Sequence, residues 1–425
     1  MLDPKLLRSN LEEVEKKLRK KGYTLNHSEY LELEEKRKIL QTSTQELQNA
    51  RNAASKEIGQ FKKEGNDTTE IFKKVAAIGE NLKTQEQELH DVQEKLQNFL
   101  LSMPNIPAES VPEGRSEEDN ELVKTVGNFP KYDFEIRDHV AIGELIAGLD
   151  LNRATKLSGS RFAVLYKDLA KLHRALIQFM LDNNTKHGYS EVYVPYLVKE
   201  ECLYGTGALP KMREDLFKIE GEKDLYLIPT AEVPLTNLYR EEIIDSKDLP
   251  IKLCAHSPCF RSEAGSYGKD TKGLIRQHQF EKIELFQITR PDESYEKLEE
   301  LVSHAEDLLQ LLELPYRIVN LCGGDLSFSS AKTFDLEVFL PSQQCYREIS
   351  SCSNFADFQA RRAKIRFRDE AGGKPILAHT INGSALAVGR TLVAILDNHQ
   401  NSDGSVNIPK VLRPYLNGLA KLEIA

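Results

Sequence analysis

Tryptophan is absent from this chain of 425 residues, and methionine occurs only 4 times. Other absences exclude whole classes of protein. No apolar run approaches the roughly 20 residues that a bilayer-spanning helix needs, so no membrane partner is expected. The N-terminal stretch MLDPKLLRSNLEEVEKKLRK makes a charged amphipathic helix rather than the apolar core of a secretory leader, and a cytoplasmic location is expected. The 6 cysteines, at 202, 254, 259, 322, 345 and 352, form no Cys-x-x-Cys pair. Neither Cys254 with Cys259 nor Cys345 with Cys352 has the spacing of a closed zinc site, and no paired histidines accompany them, so reduced thiols and no zinc are expected. A basic excess is also missing. Lys and Arg number 57 against 66 Asp and Glu, a net charge of −9, which argues against nucleic acid as a bulk partner while leaving room for a local basic face.

Proline is missing too from Glu29 to about Leu101, and there the sequence is helix-forming. Leu33, Leu40, Leu47, Ala54 and Phe61 recur every seven residues. After Gly65-Asn66-Asp67 the series resumes at Ile71, Val75, Ile78, Leu82, Leu89, Val92, Leu96 and Phe99, with Gln85 in the one polar slot. Alternating gaps of three and four are the seam of a two-stranded coil. Gly-Asn-Asp is turn chemistry, and Asp67 or Thr68 can cap the second helix. The pattern predicts an antiparallel hairpin over about 29–101, with arms of roughly 50 Å at 1.5 Å per residue. With no globular core of its own it is a lever, a spacer, a docking rod or a dimerisation coil. Lys62, Lys63, Lys73 and Lys74 flank its tip, with Arg51 and Lys56 below. Glu57, Glu64, Asp67 and Glu70 dilute that charge.

Pro104, Pro107, Pro112, Gly114 and Glu117-Glu118-Asp119 then read as a linker. Three parts are expected: a helical domain over 1–103, the linker over 104–127, and a domain over 128–425. In the last, alternating segments at 191–194, 224–228, 280–286 and 336–340 read as strands, and 163–186 and 293–312 as helices. Strands without regular βαβ alternation predict an α+β fold on an antiparallel sheet.

The densest chemistry lies in FRSEAGSYGKDTKGLIRQHQFEKIELF, Phe260 to Phe286. At the two-residue period of a strand, Arg261 and Glu263 share one face. On a second strand Phe280, Lys282, Glu284 and Phe286 share a face, while Ile283 and Leu285 point to a core. A guanidinium, two carboxylates and an aromatic ring around one cavity suit a nucleotide and a small zwitterion together. The joining loop, with Gly265, Gly268, Gly273, Lys269, Lys272 and Arg276, suits polyanions. Elsewhere Thr230, Ala231 and Glu232 in Pro-Thr-Ala-Glu offer a hydroxyl and a carboxylate of one parity, fit for an ammonium. Glu348, Ile349, Ser350 and Ser351 offer oxygens suited to magnesium beside phosphate. The run from Asn382 through Gly383 and Ser384 to Arg390 is read as opening a helix at Gly383, whose N-terminus favours phosphate.

The segment Phe260–Phe286 resembles motif 2 of class II aminoacyl-tRNA synthetases, and GLIRQHQF at Gly273–Phe280 is similar to that of seryl-tRNA synthetases. GYSEVYVPYLV at Gly188–Val198 resembles their motif 1, and Gly383–Thr391 their motif 3, with Ala385 where bacterial members carry glycine and Ala208 where they carry a polar residue. The resemblance spans the chain. It implies ATP and Mg2+ as cofactors, with Arg261, Ser262, Glu263, Phe280, Glu348, Ile349, Ser350, Ser351 and Arg390 around ATP, and Glu348 and Ser351 on the metal. It implies that Arg261 and Arg390 stabilise charge on the phosphates. L-serine would meet Thr230, Ala231, Glu232, Arg261, Glu284, Asn382 and Ser384. The coiled-coil arm would grip tRNA(Ser) through Arg51, Lys56, Lys62, Lys63, Lys73 and Lys74, and motif 1 would build a homodimer. Two rivals stand beside it. An amino acid:carrier protein ligase shares the catalytic domain but lacks the long arm. A catalytically silent coiled-coil scaffold has no need of Arg261, Glu263, Glu284, Glu348 and Arg390 together.

Overall fold

A computed structural model describes residues 1–129, 131–221, 223–265, 272–369 and 372–425. Gly268 and Lys269 of the glycine-punctuated loop lie outside the described residues. The chain divides into two compact units. One holds Pro4–Glu15 and Thr24–Met103. The other holds Met1–Asp3, Lys16–Tyr23 and Pro104–Ala425.

The first unit is dominated by two helices, α1 (His27–Glu64) and α2 (Thr69–Ser102). Their facing stripe is the seven-residue seam. Leu40, Ala54, Leu82, Val92, Leu96 and Phe99 are buried, while Leu33, Leu47, Phe61, Ile71, Val75, Ile78 and Leu89 are half-buried. Asn26 caps α1 by accepting from the Glu29 amide. Gly65 ends it at φ +74°, a left-handed position that costs glycine nothing, and the Asn66 amide closes back on Phe61 O at 3.0 Å. Asp67, rather than Thr68, serves the second helix: its Oδ1 accepts from the Thr69 amide at 2.9 Å and the Thr69 hydroxyl at 2.6 Å.

The second unit is built on an eight-stranded sheet. Its strands are β1 (Glu121–Val126), β2 (Ser190–Glu191), β3 (Ile251–Phe260), β4 (Gln279–Thr289), β5 (Tyr316–Asn320), β6 (Lys332–Leu340), β7 (Cys345–Asn354) and β8 (His379–Ala387). The order is β1-β5-β6-β7-β8-β4-β3-β2, antiparallel except for the β2–β3 pair. The fold is the expected α+β class. The stretch read as a linker contributes the edge strand β1, whose alternation is hidden because nearly all of its residues are exposed.

Three helices, α3 (Lys167–Lys186), α4 (Ser294–Leu311) and α5 (Val388–Asn398), complete the main core. Leu172 and Phe179 of α3, Leu298 and Leu308 of α4, and Leu392 and Leu396 of α5 pack with Ile283 and Leu285 of β4. The other face of β4 is shared. Phe280, Lys282 and Glu284 line a cavity. Phe286, expected beside them, instead belongs to a second core with Ala231, Leu235 and Ala360. Two β-bulges shape the cavity wall. Between β6 and β7, Leu336 faces Ser350 but Glu337 faces Glu348, an extra residue on β7. Between β4 and β8, Glu284 faces Ser384 but Lys282 faces Ala387, and Leu386 takes φ +70°.

Candidate active site

Glu284 lies at 1% exposure on β4 with its carboxylate fully inside the protein. Three donors meet it. Asn382 Nδ2 donates to Oε1 at 2.9 Å, the Thr230 hydroxyl to Oε2 at 3.0 Å, and Lys282 Nζ lies 2.5 Å from Oε2. Such pairing makes a buried carboxylate tolerable. A carboxylate has about four acceptor positions, so one stays open to a ligand hydroxyl. Lys282 shares the strand parity of Phe280 and Glu284. That parity placed it on the cavity face, but its partnership with Glu284 needed the third dimension.

Thr230 is saturated. Its hydroxyl donates to Glu284 and accepts from Lys282 Nζ at 2.9 Å and from the Glu232 amide at 3.2 Å. The hydroxyl expected to converge with Glu232 on an ammonium thus has its hydrogen bonds filled from within the protein, and the Thr230 carbonyl, which accepts from the Val233 amide at 3.3 Å, keeps its second lone pair. Glu232 opens a short helix, Glu232–Asn237, and lines the cavity. Its Oε1 accepts from Gln359 Nε2 at 2.6 Å. Burial, then the nearby charge of Glu284, pushes the Glu232 carboxyl up to about 7. Gln359 also donates to Thr206 O at 3.1 Å and accepts from Thr380 at 2.7 Å. Sequence reading missed it, because a glutamine in the amphipathic run FQARRA carries no local signal. Ala231 is buried in the second core and contributes no side chain to the cavity.

Arg261 follows the last residue of β3 rather than lying on it. Its guanidinium sits 5.3 Å from the centre of the Phe280 ring, and Nε donates to Pro229 O at 3.2 Å. Ser262 turns away: its hydroxyl donates to Glu214 O at 2.6 Å and its amide to Asp215 O at 3.0 Å. Glu263 takes φ +55°, an unfavourable region for a residue with a Cβ. That turn breaks the strand parity expected for Arg261 and Glu263. Both still line the cavity, and Glu263 Oε2 meets Arg276 Nη1 at 2.5 Å.

Glu348 and Ser351 both line the cavity, which strict alternation forbids at a spacing of three; the extra residue on β7 brings them to one side. Ser350 points into the sheet, 1% exposed, with its hydroxyl on Ser384 O at 2.6 Å, and Ile349 belongs to the main core while edging the cavity. Asp335 of β6 faces Ser351 across the strands. Its Oδ1 is buried without a hydrogen-bond partner, and burial, then the Glu348 charge, pushes its carboxyl well up. This all-oxygen set, with an orphaned oxygen beneath it, fits a magnesium ion that also takes phosphate and water.

Arg390 stands in the first turn of α5, which begins at Val388; Gly383 to Ala387 belong to β8, not to the helix. Nη1 donates to Glu348 O at 2.7 Å and Nε to Ile275 O at 3.1 Å. Ser384 and Asn382 line the same cavity, of about 490 Å³. Ala385 puts its methyl into the main core at 0% exposure. In the arm, Arg51, Lys56, Lys62, Lys63, Lys73 and Lys74 are all exposed. Lys62 Nζ sits 5.3 Å from the centre of the Phe72 ring, and Lys73 pairs with Glu70 at 2.9 Å.

Comparisons with known proteins identify the family. Residues 1–107 match the model of the seryl-tRNA synthetase N-terminal domain, and 216–399 that of the tRNA synthetase class II core domain (G, H, P, S and T). The serine–tRNA ligase of Hahella chejuensis is 56% identical over 426 residues, covering 100% of both chains. Seryl-tRNA synthetase from Pyrococcus horikoshii, solved in complex with ATP, superposes with a TM-score of 0.93 at 39% identity over 100% of both chains. The cytoplasmic serine–tRNA ligase of Naegleria fowleri, solved with AMP, gives 0.88 at 31% identity over 100% of this chain and 99% of that one. A helical arm, an antiparallel sheet carrying a paired buried carboxylate, and identity of this level over the full length place the chain in the seryl-tRNA synthetase family of class II aminoacyl-tRNA synthetases.

Proposed function

We propose that the cavity joins L-serine to ATP as seryl-adenylate and passes the seryl group to the 3′-terminal adenosine of tRNA(Ser). The observation that carries the reading is Glu284, a buried carboxylate with three donors in place and one acceptor position left. A serine hydroxyl fills that position; a methyl group leaves it empty, and buried polar groups left unpaired are how a site rejects an isostere. The serine ammonium then meets Glu232 and the Thr230 carbonyl, and its carboxylate comes within reach of Arg261.

ATP supplies the other half. Phe280, with Arg261 over it, offers a stacking face for adenine, Glu263 an acceptor for its amino group, and the short stretch after β3 its backbone. In-line attack of the serine carboxylate on the α-phosphorus builds charge on the equatorial oxygens, and Arg261 stabilises that charge by its planar fork. Arg390, at the start of α5, faces the outgoing pyrophosphate with the help of the helix N-terminus. Glu348 and Ser351 would hold Mg2+, which supplies positive charge to the phosphates when bound. No residue of the chain is covalently modified; catalysis is positioning and charge stabilisation. A homodimer through Gly188–Val198 belongs to the same reading, supported there by Tyr193 at 83% and Leu197 at 44% exposure. So do the division into a tRNA-binding arm and a catalytic domain and a cytoplasmic location.

The Glu232 carboxyl gives a pH test. An ammonium needs the carboxylate form, and in the free protein this group takes up a proton below about 7. Serine binding then releases that proton, so the serine KM is expected to rise up to about tenfold per unit as pH falls below 7. In Glu232→Gln the KM should be raised at every pH and its slope lost. A wild-type serine KM flat from pH 5.5 to 8.5 contradicts the role.

The transfer step is tested by charging tRNA with labelled serine. The wild-type chain should esterify tRNA with serine and not with alanine. Neutralising Lys62, Lys63, Lys73 and Lys74 together should weaken tRNA binding about tenfold or more at low salt and flatten its salt dependence, because fewer phosphate contacts release fewer counterions. Lys73 is already paired with Glu70, so Lys63 and Lys74 should carry most of the change. Unchanged affinity and salt slope would place tRNA recognition elsewhere.

A further inference from the structure

The loop between β5 and β6 forms one wall of the cavity through Ser327, Phe328 and Ser329. Its backbone carbonyls are claimed one after another by residues far away in sequence. Lys21 Nζ donates to Ser327 O at 2.6 Å and to Ser330 O at 2.7 Å, and approaches Phe328 O at 3.3 Å. The Asn105 amide takes Phe328 O at 2.9 Å, its side-chain Nδ2 takes Ser329 O at 2.9 Å, and the Ala108 amide takes Ala331 O at 2.8 Å. The same Nδ2 donates to Phe355 O at 2.8 Å, so it also holds a second cavity residue. Asn105 is buried, and its own Oδ1 accepts from the Ile106 amide.

Every carbonyl from Ser327 to Ala331 is thus held by Lys21, Asn105 or Ala108. In the chain these residues flank the arm: Lys21 lies in the segment Lys16–Tyr23 before it, and Asn105 follows its last residue, Met103. Lys21 is half-buried, and burial pushes its ammonium down to about 7. A charge so placed is held by the three carbonyls it meets. The wall it supports lies at the amino-acid end of the cavity. A Cβ on Gly207 would come within 2.3 Å of Ser329 Oγ, and Thr206, next to Gly207, is held by the Gln359 amide that also binds Glu232.

We propose that Lys21 and Asn105 are positioning residues for serine recognition, splinting the wall Ser327–Ser329 and Phe355 so that the amino-acid end of the cavity is formed before substrate arrives. The proposal rests on the serine-binding reading of the cavity. Neither residue touches the substrate. Their loss therefore acts on the affinity of the amino acid more than on the rate of its activation, as expected when pre-organisation is lost.

The test is ATP–pyrophosphate exchange by the full-length chain, with serine varied at saturating ATP and ATP varied at saturating serine. The variants are Lys21→Met, Lys21→Arg and Asn105→Ala. Lys21→Met and Asn105→Ala should each raise the serine KM about tenfold, keep the ATP KM within about twofold and keep kcat within about threefold. Lys21→Arg retains the cation and its donors and should return the serine KM to within about threefold of wild type. An unchanged serine KM in Lys21→Met and Asn105→Ala, whatever the melting temperature does, overturns the proposal. So does a fall in kcat with both KM values fixed, the signature of less folded enzyme. If Lys21→Met does not fold, Asn105→Ala decides by the same criterion. A wild-type chain without serine-dependent exchange overturns the reading of the cavity itself, a result distinct from failure of the splint.

Discussion

Replacing Arg261 by alanine is expected to slow seryl-adenylate formation about 10³-fold while changing the serine and ATP KM values far less. The guanidinium is already placed, between Pro229 O and the Phe280 ring, where the proposed reading puts the α-phosphate. Its contact strengthens as charge builds on the α-phosphate oxygens, so it lowers the barrier more than it tightens the ground state. Losing one preorganised donor of this kind costs about 10²–10³ in rate, and the half-buried Arg261, fixed by Pro229 O and the Phe280 ring, is placed at the upper end. Lysine should not restore the activity, because a point charge cannot reproduce a bidentate fork or stack on an aromatic face. Single-turnover adenylate formation, which separates chemistry from binding, is the check. A lysine variant within about threefold of wild type would remove Arg261 from this role.

On the proposed reading Glu284 sets the choice of amino acid, and the variant that tests it must be chosen with Lys282 in view. Alanine at this position strips Lys282 of its counter-charge and leaves a buried ammonium with only the Thr230 hydroxyl, a cost of about 3–5 kcal/mol to the fold itself. Glutamine keeps the volume and one carbonyl oxygen for Lys282 and Thr230, but turns an NH2 towards Asn382 Nδ2 or towards the substrate hydroxyl. Glu284→Gln is therefore expected to lower serine kcat/KM about 10²–10³-fold while alanine kcat/KM changes less than about tenfold, since alanine never used the open acceptor. The discrimination between the two amino acids, measured by exchange with each, should collapse. Equal losses for both would show that Glu284 holds the cavity together without reading the side chain.

Periodicity carried much of this account. The arm was legible because its seam repeats along both arms with a single polar slot at Gln85, and Leu40, Ala54, Leu82, Val92 and Leu96 are buried where the heptads put them. Ile283 and Leu285 lie in the core opposite Lys282 and Glu284 for the same reason, a period of two along β4. Legibility failed where the backbone departs from regular geometry. One extra residue on β7 sets Ser351 beside Glu348, and the left-handed turns at Glu263 and Leu386 reset parity at both ends of the site. Strand β8 runs on to Ala387 because pairing with β4 continues there, so the helix starts five residues later than its sequence invites. Contacts between distant segments were invisible altogether. Nothing local marks Gln359 as the partner of Glu232, or Lys21 and Asn105 as holders of the cavity wall.

The central claim is that this cavity activates serine at the expense of ATP. ATP–pyrophosphate exchange by the purified full-length chain, run in magnesium with each of the common amino acids in turn and without tRNA, tests it most directly. Exchange should depend on serine, with alanine and threonine at the level of the blank. Exchange driven by another amino acid, or none with serine, would contradict it.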